Sequence, residues 1–146
     1  MIVYSSRIGL NDDFRYASFD GKRWVTRRIA YAGGFLFGYR NGGITLDHSD
    51  PRWIVMSHVV RGRHEIEMRF TPDHAQTWDI EQVTSGSNEL NFRPVIPRGV
   101  SASRARVVLY ISGAASGFRS FRTVLHMREM APPAVPQLAP ADTAAR

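Results

Sequence analysis

The chain contains no cysteine, and lysine occurs once, at Lys22. Without thiols, disulfide bridges, thiolate metal sites and cysteine nucleophiles are excluded. Because lysine is nearly absent, the formal charge of +6 at pH 7 rests almost wholly on arginine. The planar guanidinium suits carboxylate, sulfate and phosphate groups. Arginine spread over many segments nevertheless selects no single partner.

Long hydrophobic runs are also missing. No apolar run reaches the roughly 20 residues that a membrane-spanning helix requires, so no membrane partner is predicted. The first residues, 1–7, enter a strand-like pattern at once. They show no basic segment followed by an apolar one, so no signal peptide is visible in this chain. The compartment stays open on these grounds.

Apolar spacing at a helical period is scarce, and short runs of β-branched and aromatic residues alternate with Gly, Asp, Asn and Pro. This pattern is typical of an all-β protein. The chain has 146 residues and 43% apolar content, enough for one core. The predicted strands are 2–7, 14–19, 23–29, 43–47, 53–59, 64–70, 77–83, 92–96, 106–112 and 120–127.

Two segments, 14–24 and 64–78, resemble each other. Each contains a strand, a tight turn with an aspartate and a second strand that opens on tryptophan. Trp24 and Trp78 lie 54 residues apart, near the period of propeller blades. We therefore predict three blades. Strands B to D of the first span 2–29, the complete second spans 43–83, and strands A to C of the third span 92–127.

These blades predict a partial β-propeller of four-stranded antiparallel blades over residues 1–130. A closed propeller needs about four to eight blades, so the ring is incomplete. Missing blades of a longer protein, or a homo-oligomer, are needed to close it, and we favour a gene fragment. Residues 131–146 are rich in Ala and Pro and lack aromatic residues. They predict a disordered tail.

Residues 71–78, Thr-Pro-Asp-His-Ala-Gln-Thr-Trp, resemble the Asp box, Ser/Thr-x-Asp-x-Gly-x-Thr-Trp, of sialidases and other BNR-repeat propellers. Ala75 replaces the usual glycine, which is unfavourable for a turn with positive φ. The resemblance implies that the box is structural, with Asp73 pinning the turn and Trp78 packing beneath it. Asp20 and Trp24 form a half-copy with the same implied role.

A longer stretch, 2–128, is similar to the BNR-repeat group that includes polysaccharide lyases acting on uronate-containing polymers. The segments that carry this resemblance are 16–24, 29–33, 43–51 and 90–97. Propellers of that group are longer, so the chain resembles a C-terminal part of about two to three blades. The resemblance implies a secreted or periplasmic parent protein and an acidic polysaccharide or glycan as partner.

In a propeller the ligand face is formed by the D–A and B–C loops, here 7–13, 30–42, 60–63, 84–91 and 113–119. A uronate lyase neutralises a carboxylate, removes the C5 proton and protonates the leaving oxygen. For proton transfer we predict Tyr39 and His58. For substrate binding we predict Arg7, Arg40, Arg93 and Asn91.

Other chemistries find less support. His58 and His64 follow no metal-binding spacing, so we predict neither a metal nor another cofactor. Glu65 and Glu67 lie on one strand with the same orientation, so they cannot straddle a glycosidic bond. Asp12 and Asp13 are interpreted as a solvated turn. The three tryptophans, Trp24, Trp53 and Trp78, are interpreted as blade core.

The sequence thus favours a fragment of a carbohydrate-active propeller. The resemblance implies that the parent protein is a lyase acting on an acidic polysaccharide. One alternative is a non-catalytic module that binds a glycan or another protein. A second is a fragment of a sialidase-like glycoside hydrolase. Whether the chain is itself an enzyme stays open. A nucleic-acid partner is not predicted, because the arginines are scattered among strands without an RNA-binding motif.

Overall fold

The computed structural model describes residues 1–9, 11–33, 42–99, 106–117 and 120–131. These residues form ten strands and contain no helix, which confirms the all-β class. Accordingly, this part of the chain offers no helix of the length and apolar character needed to cross a membrane. Tyr39, Arg40 and all but the first residue of the predicted tail lie outside the described residues.

Each strand lies on one of the ten predicted segments, and the differences are confined to the strand ends. The strands are β1 (Ile2–Ile8), β2 (Asn11–Phe19), β3 (Trp24–Gly33), β4 (Ile44–Leu46), β5 (Trp53–Val60), β6 (Arg63–Phe70), β7 (Asp79–Gln82), β8 (Leu90–Val95), β9 (Arg106–Gly117) and β10 (Ser120–Met130). Short runs of β-branched and aromatic residues, separated by turn residues, therefore located the strands correctly.

The described strands assemble in chain order into three antiparallel sheets. Sheet 1 is β1-β2-β3, sheet 2 is β4-β5-β6-β7, and sheet 3 is β8-β9-β10. Neighbouring strands are joined by short turns, such as Arg61-Gly62 between β5 and β6, where φ is 50° and 79°. Two positive φ values are typical of a two-residue hairpin, because the backbone twist then matches that of the strands.

Sheet 2 is covered on both faces, which explains why residues 53–58 and 64–69 are buried without alternation. On one face, Ile54 and Met56 pack near Phe14 and Tyr16 of sheet 1. The opposite face packs against sheet 3. The buried residues of that second junction are Trp53, Val55, Ile66, Met68, Ile96, Val108, Tyr110 and Met130.

Sheets 1 and 3 each leave one face uncovered by the other sheets. Strand register places one set of alternating residues on each of these faces. The residues of the sheet 1 outer face include Ile2, Tyr4, Asp13, Arg15, Phe19, Trp24 and Arg28. The sheet 3 outer face comprises Val95, Leu109, Leu125, Met127 and Glu129. Large apolar side chains on both are well exposed, for example Phe19 at 54% and Leu125 at 68%.

Two packing predictions are wrong in part. Trp53 is buried and Trp78 is half-buried, but Trp24 is 52% exposed and its ring contacts only the exposed ring of Phe19 among the described aromatic residues. Asp12 and Asp13 are buried within β2 rather than solvated. The strand begins three residues earlier than predicted, and Arg28 of β3 donates a 2.9 Å hydrogen bond to Asp13.

The turn between β6 and β7 is held by Asp73. Its carboxylate accepts hydrogen bonds from the Thr77 N–H (2.8 Å), the Gln76 N–H (3.0 Å) and the Thr77 hydroxyl (2.7 Å). These donors, the Thr77 N–H first, lower the pKa of Asp73. Ala75 adopts φ 67°, so the turn forms with positive φ despite the missing glycine.

The turn between β2 and β3 is a simpler version. Asp20 accepts hydrogen bonds from the N–H groups of Lys22 and Arg23, both at 2.9 Å. Trp78, which follows the Asp73 turn, packs edge-on against Tyr16 with ring centroids 5.7 Å apart. Trp24, which follows the Asp20 turn, lies at the surface. Both turns are held by an aspartate, but only the Asp73 turn is followed by a tryptophan that packs against sheet 1.

We expect Asp73→Ala to lower the unfolding temperature more than Asp20→Ala does. Asp73 accepts four hydrogen bonds, including one from the Thr71 hydroxyl, and Asp20 accepts two from the following N–H groups. Thermal unfolding at neutral pH, followed by circular dichroism, measures both. Equal shifts would contradict the unequal roles of the two turns.

Candidate functional site

Two clefts lie side by side where the segment 83–91 connects β7 to β8. The first, which we call the arginine cleft, has a volume of about 380 Å³ and is lined by Arg61, Arg63, Glu65, Gln82 and Gly86, among others. The second, the histidine cleft, has a volume of about 460 Å³. Its lining includes Asn88, Asn91, Tyr110, Ser112, His126 and Arg128. Loops 60–63 and 84–91 of the predicted ligand face border these clefts.

The segment between the clefts is fixed against β6. The N–H groups of Val83 and Thr84 both donate to the Ile66 carbonyl. Glu65 accepts hydrogen bonds from the Thr84 hydroxyl (2.6 Å), the Ser87 N–H (2.7 Å) and the Ser87 hydroxyl (2.8 Å). Burial alone would raise the pKa of Glu65, but these donors outweigh it and lower the pKa. Glu65 is therefore a structural acceptor that shapes both clefts.

The arginine cleft presents positive charge. Arg63 donates hydrogen bonds to the Ser87 carbonyl and to Asn88 Oδ1, the latter at 3.1 Å. Arg61 stands at the tip of the β5–β6 turn and is exposed. One guanidinium thus supports the segment 83–91, and the other faces solvent at the rim.

The histidine cleft combines side chains of β9 and β10. The Ser112 hydroxyl lies 2.6 Å from His126 Nε2. The Tyr110 ring stacks on His126, with centroids 4.9 Å apart and planes inclined by 15°. Arg128, two residues farther along β10, is exposed on the same face. The cleft therefore offers a hydroxyl, an oriented imidazole and a cation to one ligand.

Sequence reasoning missed Ser112, His126 and Arg128. The available signal was the spacing of His126 and Arg128, which places both on one face of a predicted strand. That signal did not show that Ser112 and Tyr110 lie opposite on β9, since this depends on the register Tyr110↔His126.

His58, predicted for proton transfer, lies on the same face of β5 as Met56 and is only 7% exposed. Its Nε2 lies 2.7 Å from Glu67 Oε2. Arg69 Nη2 lies 2.8 Å from the same oxygen, and Gln82 donates to the other oxygen, Oε1. We call His58, Glu67, Arg69 and Gln82 the Glu67 cluster. Its geometry favours a structural contact of His58 with Glu67 over contact with a substrate.

The Glu67 carboxylate is strongly stabilised in its ionised form. Burial by itself raises the pKa of Glu67, but the contact with His58 and the hydrogen bonds from Arg69 and Gln82 lower it to about 2. Arg69 also donates a 3.1 Å hydrogen bond to the Ile29 carbonyl of β3. The cluster therefore ties sheet 2 to sheet 1.

The predicted substrate-binding residues are not gathered in one place by the described structure. Arg7 is exposed on β1 and donates a 2.9 Å hydrogen bond to the Gly9 carbonyl. Arg93 is exposed at φ 53°, and its N–H donates to the Gly42 carbonyl at 2.6 Å. Neither residue lines the arginine or the histidine cleft.

Asn91 does line the histidine cleft, but its amide is already engaged. Asn91 Nδ2 donates to the His64 carbonyl at 3.1 Å, and the main-chain carbonyl of Asn91 accepts a hydrogen bond from the Ser57 hydroxyl. Its side chain therefore supports the wall of the cleft. Tyr39 and Arg40, the two remaining candidates, lie outside the described residues.

Among the residues that the structure describes, no three His, Asp or Glu side chains lie close enough together to hold a metal ion. The chain was also compared with known proteins. No protein-family model matches it, and neither does a curated protein or a solved structure.

Proposed function

We propose that the chain is a piece of a BNR-repeat type propeller that binds an acidic glycan in the arginine and histidine clefts. The observation that carries the binding function is the position of two exposed guanidinium groups, Arg61 and Arg128, at neighbouring clefts beside one segment. Arginine pairs with carboxylates through two parallel hydrogen bonds, so uronate residues suit this surface.

The propeller arrangement is supported by three features. The sheets are antiparallel meanders, they pack face to face in chain order, and the Asp73 turn has the hydrogen bonds expected of an Asp box. The clefts lie at the start of β6 and the Asp73 turn follows its end. This is the expected separation between the ligand face and the structural turns of a propeller.

The hydroxyl groups of a sugar would find partners beside the cations. Asn88 and Ser112 carry hydrogen-bonding groups in the histidine cleft, and His126 adds a ring nitrogen. A few polar groups that converge on one cleft are typical of ligand sites. Binding rather than catalysis is favoured, because His58, the described residue predicted for proton transfer, is engaged in a contact within the protein.

The test is isothermal titration with galacturonate oligomers and with neutral galactose oligomers of equal length. We expect only the acidic oligomers to bind, more weakly as salt increases. Arg61→Ala and Arg128→Ala should each weaken binding about tenfold, since a charge-assisted hydrogen bond contributes about 1.5 kcal/mol or more. Arg27→Ala is the control. Arg27 is exposed on β3, so this substitution removes the same charge from the surface outside the two clefts. An equal loss in Arg27→Ala would refute a local site.

A second candidate function is β-elimination of a uronate polymer, favoured by the contact of Ser112 with His126 beside Arg128. Arg128 would neutralise the carboxylate and His126 would take the C5 proton. As the C4–O4 bond breaks and the C4–C5 double bond forms, the protonated imidazole would pass that proton to the leaving O4, and no water is consumed. The new C4–C5 double bond absorbs ultraviolet light. Absorbance that grows with the wild type and not with His126→Ala, while binding persists, would establish lysis.

The sialidase-like alternative has the least support. A sialidase uses a tyrosine nucleophile paired with a glutamate, unlike most glycosidases, which use two carboxyl groups on either side of the bond, so its glutamate must be free to contact that tyrosine. Glu65 and Glu67 are both held as carboxylates by donors of the protein, and they project from one strand, β6.

A further inference from the structure

The sheet 1 and sheet 3 outer faces are large and apolar. Phe19 and Trp24 are 54% and 52% exposed on the first, and Leu125 and Met127 are 68% and 63% exposed on the second. Soluble proteins rarely leave such contiguous apolar surface open, and it usually marks an interaction site. We therefore expect each of these faces to be covered by a partner surface.

The sheet 1 and sheet 3 outer faces can pack on each other in the same way as the sheets within the chain. Within the chain, one face of sheet 1 packs on sheet 2, and the opposite face of sheet 2 packs on sheet 3. Each junction thus joins the face of one sheet that points towards the next sheet in the chain to the face of that next sheet that points back. The two faces left over are the sheet 1 outer face, which has no preceding sheet, and the sheet 3 outer face, which has no following sheet. A contact between them repeats the type of junction that the chain already contains twice.

Charge also matches across such a contact. Arg15 lies on the sheet 1 outer face, and its buried Nε finds no hydrogen-bond partner among the described residues. Arg28, its neighbour across β2 and β3, is paired with Asp13 on the same face, so the positive charge that this face offers to a partner is that of Arg15. The sheet 3 outer face carries the exposed carboxylate of Glu129. A basic face and an acidic face favour each other over contact between two like faces.

We propose that a second copy of this chain covers both faces, with the sheet 3 outer face of each copy packed on the sheet 1 outer face of the other. Two such contacts related by a twofold axis close the assembly and leave neither face open. The pair contains six sheets, within the range of about four to eight blades in closed propellers. Ring closure rests on the propeller arrangement proposed above, whereas the contact between the faces does not require glycan binding.

Light scattering of the full chain, after size-exclusion chromatography over a range of concentrations, tests this assembly. We expect a mass twice the 16.5 kDa of one chain. Leu125→Glu and Phe19→Glu should each abolish the dimer. Both positions are more than half exposed, so each variant should keep its fold, which circular dichroism verifies. Ile80→Glu is the matched control, because Ile80 is 54% exposed on β7 and should leave the dimer intact.

Mixing the two monomeric variants tests the pairing of unlike faces. The Leu125→Glu chain retains an intact sheet 1 face, and the Phe19→Glu chain retains an intact sheet 3 face. Together they should form a heterodimer through one contact, weaker than the wild-type dimer. If like faces paired instead, Phe19→Glu alone would still dimerise through sheet 3, and that result would overturn the proposal.

A monomeric wild-type chain at all concentrations, or a polydisperse polymer, would also overturn it. These outcomes are separate from those of the glycan titration. A monomer that binds galacturonate oligomers retains the proposed function and loses the second copy. A dimer that ignores acidic oligomers retains the interface and loses the function.

Discussion

Trp53→Ala is expected to reduce the free energy of unfolding by about 3–5 kcal/mol, the usual cost of removing a large buried aromatic ring. Trp53 is 5% exposed in the junction between sheets 2 and 3, and its ring lies 4.8 Å from that of Phe70. The buried guanidinium of Arg106 lies 4.0 Å above the same ring. Loss of the ring would remove apolar contacts and a cation–π contact together.

The other tryptophans provide an internal scale for this experiment. Trp78→Ala should cost about 2 kcal/mol, because the ring is half-buried and packs on Tyr16. Trp24→Ala should cost less than about 1 kcal/mol, since its ring is mostly exposed. Urea unfolding at neutral pH, followed by circular dichroism, measures all three. A Trp24 variant as unstable as the Trp53 variant would contradict the burial that separates them.

Glu67→Gln is expected to destabilise the protein by about 3 kcal/mol at pH 7, because it removes the anion from a buried ion pair and leaves Arg69 without its counter-charge. Arg69 and Glu67 side chains are 10% and 6% exposed. Glu81→Gln on the neighbouring strand β7 is the control. Glu81 is exposed, so this substitution should change stability by less than about 0.5 kcal/mol.

The pH dependence identifies the carboxylate as the cause. The pKa of Glu67 is about 2 in the folded protein, against an ordinary value of 4.5. A lowered pKa gives stability that is fully present above pH 4.5 and is lost as pH falls towards 2. A shift of this size corresponds to about 3 kcal/mol. The stability difference between wild type and Glu67→Gln should therefore shrink over this range, and a constant difference would refute the ionic contribution.

The strand pattern was predictable because it depends on near neighbours in sequence. Short runs of β-branched and aromatic residues marked the strands, and turn residues such as Arg61-Gly62 and Asp73 separated them. The Asp73 turn shows the same locality, since its aspartate bonds to N–H groups three and four residues later. Even Ala75 did not prevent the turn, because the surrounding hydrogen bonds hold its positive φ.

The candidate site was less predictable because it depends on contacts between distant segments. His58 and His126 are both histidines on predicted strands, and nothing adjacent to them in sequence tells them apart. Their surroundings separate them: His58 is buried beside Glu67, while β9 brings Ser112 to His126 in an open cleft. Glu65 likewise acquires its role only when the segment 83–91 folds back on β6.

The sequence by itself determined that the chain is all-β, where its strands lie and that an aspartate holds the β6–β7 turn. These features follow from short runs of β-branched and aromatic residues and from hydrogen bonds within a few residues. Only the tertiary structure decided which tryptophan is buried, which histidine meets solvent and which sheet faces stay open. Those outcomes depend on how the sheets pack, because burial is set by residues from other sheets, far away along the chain.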